Sequence, residues 1–451
     1  MRAARAVALG WVVAVAWAVP TAAAVTPPAV DGALLPPAGP PRPRTPTEQT
    51  GACPNGSRQG EVTATQPNLA ELEPVWRLTK GAGQTVAVVD TGVARHRLLP
   101  HLLPGGDYVS TGDGTQDCDG HGTIVAGIIG AARSDASGTT FSGIAPDASI
   151  IAIRQSSNMF RPSDGTGGSG VGDVETLAAA VRTAADAGAT VINISSVACA
   201  LTDQGLDDRS LGAALAYAVD VKNVVVVAAA GNVGGAGQCP RQNPAPDPAR
   251  PGQPSWDTVA VVVSPAWYDD YVLTVGSVDR TGRPSAFTLS GPWVDVAAPG
   301  EAVVSLSPDG DGLTEFVAGS SEPEPLSGTS YSAPVVAGIA ALVRSVSPHL
   351  TARQVMRTIE DSAHHPAAGW DPWVGHGVVD ALAAVSTEGF RPERSPARGP
   401  LAQAPAAASG SDTTSRRISL VGAAVCVAAT TTVMTLSTGW LRRRREAVAR
   451  D

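Results

Sequence analysis

Short uninterrupted apolar runs alternate along the middle of this chain with longer stretches whose apolar positions recur at helical spacing. Val86-Ala87-Val88-Val89, Ile150-Ile151-Ala152-Ile153, Val191-Ile192-Asn193-Ile194 and residues 224–230 are runs of the first kind. A strand buried on both faces of a parallel sheet has this continuous pattern, whereas a half-exposed strand alternates. Residues 123–132, 174–187 and 210–221 carry the helical pattern. Strand and helix in alternation predict an α/β fold, a doubly wound and mostly parallel sheet with helices on both faces. Functional sites of such sheets lie beyond the carboxyl ends of the strands, where this chain places Asp90, Ser195 and Asn232.

Both ends depart from that pattern. Met1-Arg2-Ala3-Ala4-Arg5 is basic, residues 6–19 are apolar, and Ala22-Ala23-Ala24 supplies small residues, as in a secretory signal peptide spanning residues 1–24. The alternative is an uncleaved anchor, for which that apolar core is short against the ~20 residues a spanning helix needs. Residues 418–440 carry no charge, and at ~1.5 Å per residue they reach roughly 34 Å, enough to cross a ~30 Å hydrocarbon core. Arg442 to Arg445 follow directly, so the tail 441–451 is expected in the cytoplasm and the bulk of the chain outside it. Two Pro-rich segments flank the middle: an N-terminal extension, 25–67, and a Pro/Ala/Ser/Arg linker, 388–417. The folded domain is expected over 68–387, held at the cell membrane by a single C-terminal transmembrane helix.

Composition narrows the partners. Charged residues are 16% of the 451, the net charge is −9, and aromatics are 4%. These values exclude a coiled coil and a highly charged disordered chain, and they give no electrostatic reason to expect nucleic acid. The 49 glycines and 37 prolines are roughly a fifth of the chain, below the ~25–30% that marks wholesale disorder.

Chemistry concentrates at four element boundaries. Asp90 closes a strand in Val88-Val89-Asp90-Thr91-Gly92, and His121 stands at a helix start in Asp119-Gly120-His121-Gly122-Thr123. Ser330 opens a helix in Ser327-Gly328-Thr329-Ser330-Tyr331-Ser332-Ala333-Pro334, and Asn232 follows a strand in Ala228-Ala229-Ala230-Gly231-Asn232. A Ser hydroxyl needs a base to take its proton, an imidazole titrates near pH 6.5, and a carboxylate on the other ring nitrogen fixes its tautomer. The Asn232 amide and the Ser330 N–H can stabilise the resulting oxyanion. Taken singly, the Asp is a turn residue, the His a loop residue and the Ser an N-cap. Their order and their Gly-flanked settings together favour the catalytic reading. Pro334 is read as lying in the first helical turn, where its missing N–H costs nothing.

These segments resemble the subtilisin-like serine proteases (subtilases, peptidase family S8), whose chain order is also Asp, His, Ser. The resemblance runs from about Trp76 to Val385 and includes Gly81-Ala82-Gly83, Gly143-Ile144-Ala145-Pro146 and Gly375-His376-Gly377-Val378-Val379-Asp380-Ala381. It implies a catalytic Asp90, His121 and Ser330 with Asn232 in the oxyanion hole. Tyr331 departs mildly from the Met or Phe that commonly follows the Ser. It also implies that Ser195, Ser196 and Val197 pair with extended substrate, with Ala229, Ala230 and Gly231 beside it. No charge is evident there, which favours a small or apolar side chain before the scissile bond.

A narrower resemblance is to the mycosins, membrane-anchored subtilases of actinobacterial type VII secretion systems. It rests on Ile151-Ala152-Ile153-Arg154-Gln155-Ser156-Ser157, on Asn193-Ile194-Ser195-Ser196-Val197, on the Pro-rich arm and on the C-terminal anchor with its basic tail. It implies protein or peptide substrates and components of a secretion membrane complex as partners. Of the five cysteines, Cys426 falls in the apolar segment, and Cys53, Cys118, Cys199 and Cys239 allow three pairings in an oxidising compartment. The mycosin resemblance favours Cys53 with Cys118 and Cys199 with Cys239. The arm is then expected to stay wrapped on the domain, stabilising it more than inhibiting it.

No cofactor or metal site is expected. Asp309-Gly310-Asp311-Gly312 has Ser320 where a calcium loop needs Glu, and reads as a solvated hairpin turn. The Gly-rich segment 164–172 has no Lys to cradle phosphate, and the adjacent His364 and His365 cannot share a helix face. His96, His101 and His376 read as loop or surface residues. Two functions stay in view: endoproteolysis through a Ser330 acyl-enzyme, and a protease fold serving as scaffold within a secretion complex.

Overall fold

The computed structural model describes residues 25–53, 69–134, 140–165, 170–234, 239–245, 247–309, 311–317 and 324–386. The expected signal peptide, linker, transmembrane segment and tail lie outside the described residues. Seven strands build the central sheet: β1 (Thr85–Asp90), β2 (Leu102–Asp107), β3 (Ser149–Arg154), β4 (Val191–Ile194), β5 (Val225–Ala229), β6 (Leu273–Val278) and β7 (Val296–Pro299). Their spatial order is β7-β6-β5-β4-β1-β3-β2, and every neighbouring pair is parallel. The order reverses around β1, so a crevice opens at its carboxyl end, where Asp90 sits.

The four strands with continuous apolar runs are the four at the centre, and Val86 to Val89 and Val225 to Val227 are fully buried. β2 escapes that pattern because it is an edge strand, Leu-Leu-Pro-Gly-Gly-Asp, with a bulge between Pro104 and Gly106. Pro is tolerated there because an edge strand has no neighbour on one side to receive its N–H.

Helices cover both faces: α1 (Leu69–Trp76), α2 (His121–Gly130), α3 (Val174–Asp186), α4 (Arg209–Ala216), α5 (Thr329–Val346), α6 (Ala352–Asp361) and α7 (Ala381–Ser386). The helical pattern over 210–221 divides into α4 and a π-helical turn, Tyr217–Val221. α5 is buried from Thr329 to Arg344, which explains its lack of a polar face. Gly338 lets it approach Ile144, whose Cβ lies 2.6 Å from where a Gly338 Cβ would be. Pro334 is the sixth residue of α5 and not in its first turn, so the carbonyl of Ser330, four residues back, loses its intrahelical donor.

The arm crosses the domain in extended form. Pro41 packs on Gly106, Arg182 donates to the Pro36 carbonyl, and Thr47–Gln49 pairs antiparallel with Phe160–Pro162. Cys53 is bonded to Cys118 (Cα–Cα 4.7 Å) and Cys199 to Cys239 (5.2 Å), the pairing the mycosin resemblance favoured. The first bond closes a separation of 65 residues. Replacing Cys53 and Cys118 by Ser is expected to lower the unfolding free energy by about 4 kcal/mol, the chain-entropy figure for such a loop. A denaturant midpoint left unmoved would show that this bond adds no stability.

Candidate active site

Asp90 ends β1 with its carboxylate fully buried. Its Oδ1 accepts from the Thr91 N–H and from His121 Nδ1, each at 2.7 Å. His121 begins α2 directly after Gly120, whose φ of 83° is a left-handed conformation suited to glycine. Asp117 holds this turn in place, a role that sequence reasoning missed. Its carboxylate accepts from Thr91 Oγ1, from the Gly120 N–H, and from the N–H and hydroxyl of Thr123, at 2.6–2.9 Å. Thr91 Oγ1 in turn accepts from the Gly122 N–H at 2.9 Å, so Asp90 and His121 hang on one polar network. Burial pushes the Asp117 carboxyl up to about 6 despite these donors. The only sequence signal for Asp117 was its spacing from His121.

Burial works to lower the His121 pKa, but the charge and hydrogen bond of Asp90, helped by Asp117 and Asp119, outweigh it and raise the imidazole above its ordinary value. The ring is a quarter exposed, and Tyr331 packs against it with centroids 5.4 Å apart.

Ser330 is the second residue of α5. The orphan carbonyl that Pro334 leaves on Ser330 accepts from Ser195 Oγ at 2.9 Å, and Ser195 accepts from Asn193 Nδ2 at 2.9 Å. Asn232 Oδ1 accepts from the N–H and hydroxyl of Thr329 at 2.9 and 3.0 Å, which turns its NH2 group the other way. Ser330 Oγ and Asn232 Nδ2 lie 3.2 and 3.5 Å from the point a Gly328 Cβ would occupy, so both polar groups flank the same small space.

His121, Asn232 and Ser330 all line one cleft of about 970 Å³, together with Ser195, Ser196 and Val197. Ala229, Ala230 and Gly231, expected beside the substrate, are buried. The Ala230 N–H is bound to the Val275 carbonyl, and Cys239 Sγ lies 3.0 Å from the position of a Gly231 Cβ. Cys199 and Cys239 both line the cleft.

His96 lies in a loop, as expected, but is buried there and not at the surface, its Nε2 paired with the Gly312 carbonyl at 3.1 Å. Asp311 lies in the turn between Ser305–Leu306 and Leu313–Thr314 and pairs with Arg97. Among the described residues no three His, Cys, Asp or Glu side chains gather to hold a metal ion.

The sequence pattern of the subtilase family, peptidase S8, matches residues 81–383. Mycosin-4 of Mycobacterium tuberculosis is 55% identical over 452 residues, covering 96% of this chain and 95% of its own. The solved MycP3 protease from the type VII (ESX-3) secretion system superposes with a TM-score of 0.74 at 44% identity, covering 81% of this chain and 100% of that one. A chain of the periplasmic assembly from the ESX-5 inner membrane complex gives 0.75 at 41% identity, covering 81% and 95%.

The His121 titration tests the electrostatics directly. By NMR, its midpoint is expected above the ordinary ~6.5, and Asp90→Asn should bring it below that value, because burial then acts with little opposition. The sign for stability follows: the pair's contribution is complete below about pH 6.5 and is lost as pH rises through the folded-state value. A midpoint unmoved by Asp90→Asn would show that the 2.7 Å contact does not set it.

Proposed function

Since this serine endopeptidase belongs to the subtilase family, and within it to the mycosins, we propose that it cuts protein substrates through a Ser330 acyl-enzyme, outside the cytoplasmic membrane and within a type VII secretion complex. The observation that carries the reading is the buried Asp90 carboxylate 2.7 Å from His121, on a cleft that His121 shares with Ser330 and Asn232.

The chemistry assigns each group a task. With Nδ1 bound to Asp90, the neutral imidazole presents Nε2 as the base that takes the Ser330 proton during attack. The raised pKa suits the imidazolium that forms, and Asp90 stabilises its charge. The tetrahedral oxyanion is met by Asn232 Nδ2 and by the Ser330 N–H, a free donor at the positive end of α5. The imidazolium then gives its proton to the leaving amine, and water repeats the sequence to release the acyl group. Ser195, Ser196 and Val197 offer main-chain groups along which an extended peptide can lie.

The anchor belongs to the same proposal. Residues 418–440 would form the membrane helix, with the tail 441–451 in the cytoplasm. Among the described residues no helix is long and apolar enough to cross a membrane. A scaffold role has support in the similarity to a chain of the ESX-5 assembly. The two roles separate experimentally.

Ser330→Ala is expected to abolish peptide hydrolysis, and Asn232→Ala to lower kcat by about 10²–10³ with KM little changed. In wild type, kcat/KM should fall on acidification with a midpoint above ~6.5. Secretome profiling of wild type, Ser330→Ala and a full deletion divides the functions. A defect shared by both mutants is proteolytic, and one confined to the deletion reflects scaffolding. A Ser330→Ala enzyme of undiminished activity would overturn the mechanism.

A further inference from the structure

We propose that the Asp173 carboxylate is a subsite for a basic residue, Arg or Lys, of the peptide substrate, and that Arg44 of the N-terminal arm fills it when the cleft is empty. The proposal rests on the endopeptidase reading above and names the class of peptide the cleft favours.

Asp119 and Asp173 both line the cleft, and among its described lining residues there is neither Arg nor Lys. The two acids differ in what they have left to offer. Asp119 has both oxygens engaged within its own wall, by Ser157 Oγ at 2.5 Å and the Asn158 N–H at 2.7 Å. Asp173 is the N-cap of α3, and its Oδ1 accepts from the Thr176 N–H at 2.7 Å. Its Oδ2 accepts from Arg44 Nη1 at 3.1 Å, across 129 positions of sequence. That oxygen already holds a guanidinium, so a substrate cation would replace like with like while the 60%-exposed Arg44 returns to water.

The exchange is easy where it stands. Arg44 and Asp173 are 60% and 51% exposed, and an ion pair that open to water holds weakly. The arm backbone is fastened on both sides of Arg44, by Pro41 on Gly106 and by the pairing of Thr47–Gln49 with Phe160–Pro162. The side chain can therefore swing aside while the arm stays in place. Val171, Val174 and Leu177 line the same wall, so the stem of a long basic side chain would lie on apolar surface with its charge at Asp173.

The test is an Arg scan through the four residues preceding the scissile bond of one model peptide, each compared with its Gln counterpart on the full-length enzyme. One position is expected to favour Arg by about fivefold in kcat/KM, the range of an exposed ion pair. Asp173→Asn should bring that ratio near one while keeping the α3 cap, since Asn caps as well as Asp. Asp173→Ser, also a good cap, serves as the second variant. Arg44→Ala should raise the ratio about twofold by removing the competitor. The same scan read as Kd on Ser330→Ala decides the subsite without hydrolysis. If no position favours Arg, or the preference survives both Asp173 variants, the subsite is refuted. If wild type hydrolyses none of the peptides while the binding preference holds, it is the endopeptidase reading that fails.

Discussion

A buried carboxylate is tolerable only where something compensates its lost hydration, and Asp90 is compensated mainly by His121 and the Thr91 N–H. Everything around the cleft follows from placing those groups together. β1 brings Asp90 to the point where the strand order reverses, flanked by β3 and β4, so it cannot shift without moving the centre of the sheet. α2 must then begin within reach of that strand end. Gly120 permits the turn, and Asp117 fastens it through four donors. α5 completes the arrangement by passing its Ser330 end into the same crevice. Its small residues allow it to run through the core, with Gly338 against Ile144.

The N-terminal arm has more than one attachment, and those after Pro46 lie beside the cleft wall. Thr47–Gln49 adds a strand to Phe160–Pro162, the Thr50 N–H donates to the Met159 carbonyl, and Met159 lines the cleft. The Cys53–Cys118 bond joins the arm to the turn three residues before His121. Removing the arm would therefore withdraw support from one wall of the cleft and from the histidine loop together, a geometry closer to bracing than to a plug.

Continuous apolar runs made the central strands readable, because burial on both faces removes any need for polar positions. The edge strand β2 was opaque for the opposite reason: Pro104, Gly105 and Gly106 suit a bulged edge and resemble a loop. Asp90, His121, Ser330 and Asn232 stood out through their Gly-flanked settings at element ends. Adjacency in sequence to Asn232 says nothing of how deeply Ala229, Ala230 and Gly231 are buried, and the packing of the cystine on Gly231 appears only in three dimensions. Asp117, His96 and the Arg44–Asp173 pair were likewise out of reach, since each depends on partners far away along the chain or on burial.

Pro334 gives α5 an unusual attachment. An ordinary helix closes the carbonyls of its early turns on itself, but here the carbonyl of Ser330 is claimed by a hydroxyl at the end of β4. Ser195 carries that hydroxyl, and the next two residues, Ser196 and Val197, border the cleft. The segment proposed to carry a peptide and the backbone of Ser330, the proposed nucleophile, are thus coupled by a single bond, as two parts of one lever. A displacement of that segment would have a direct path to Ser330 that does not run through the rest of the helix.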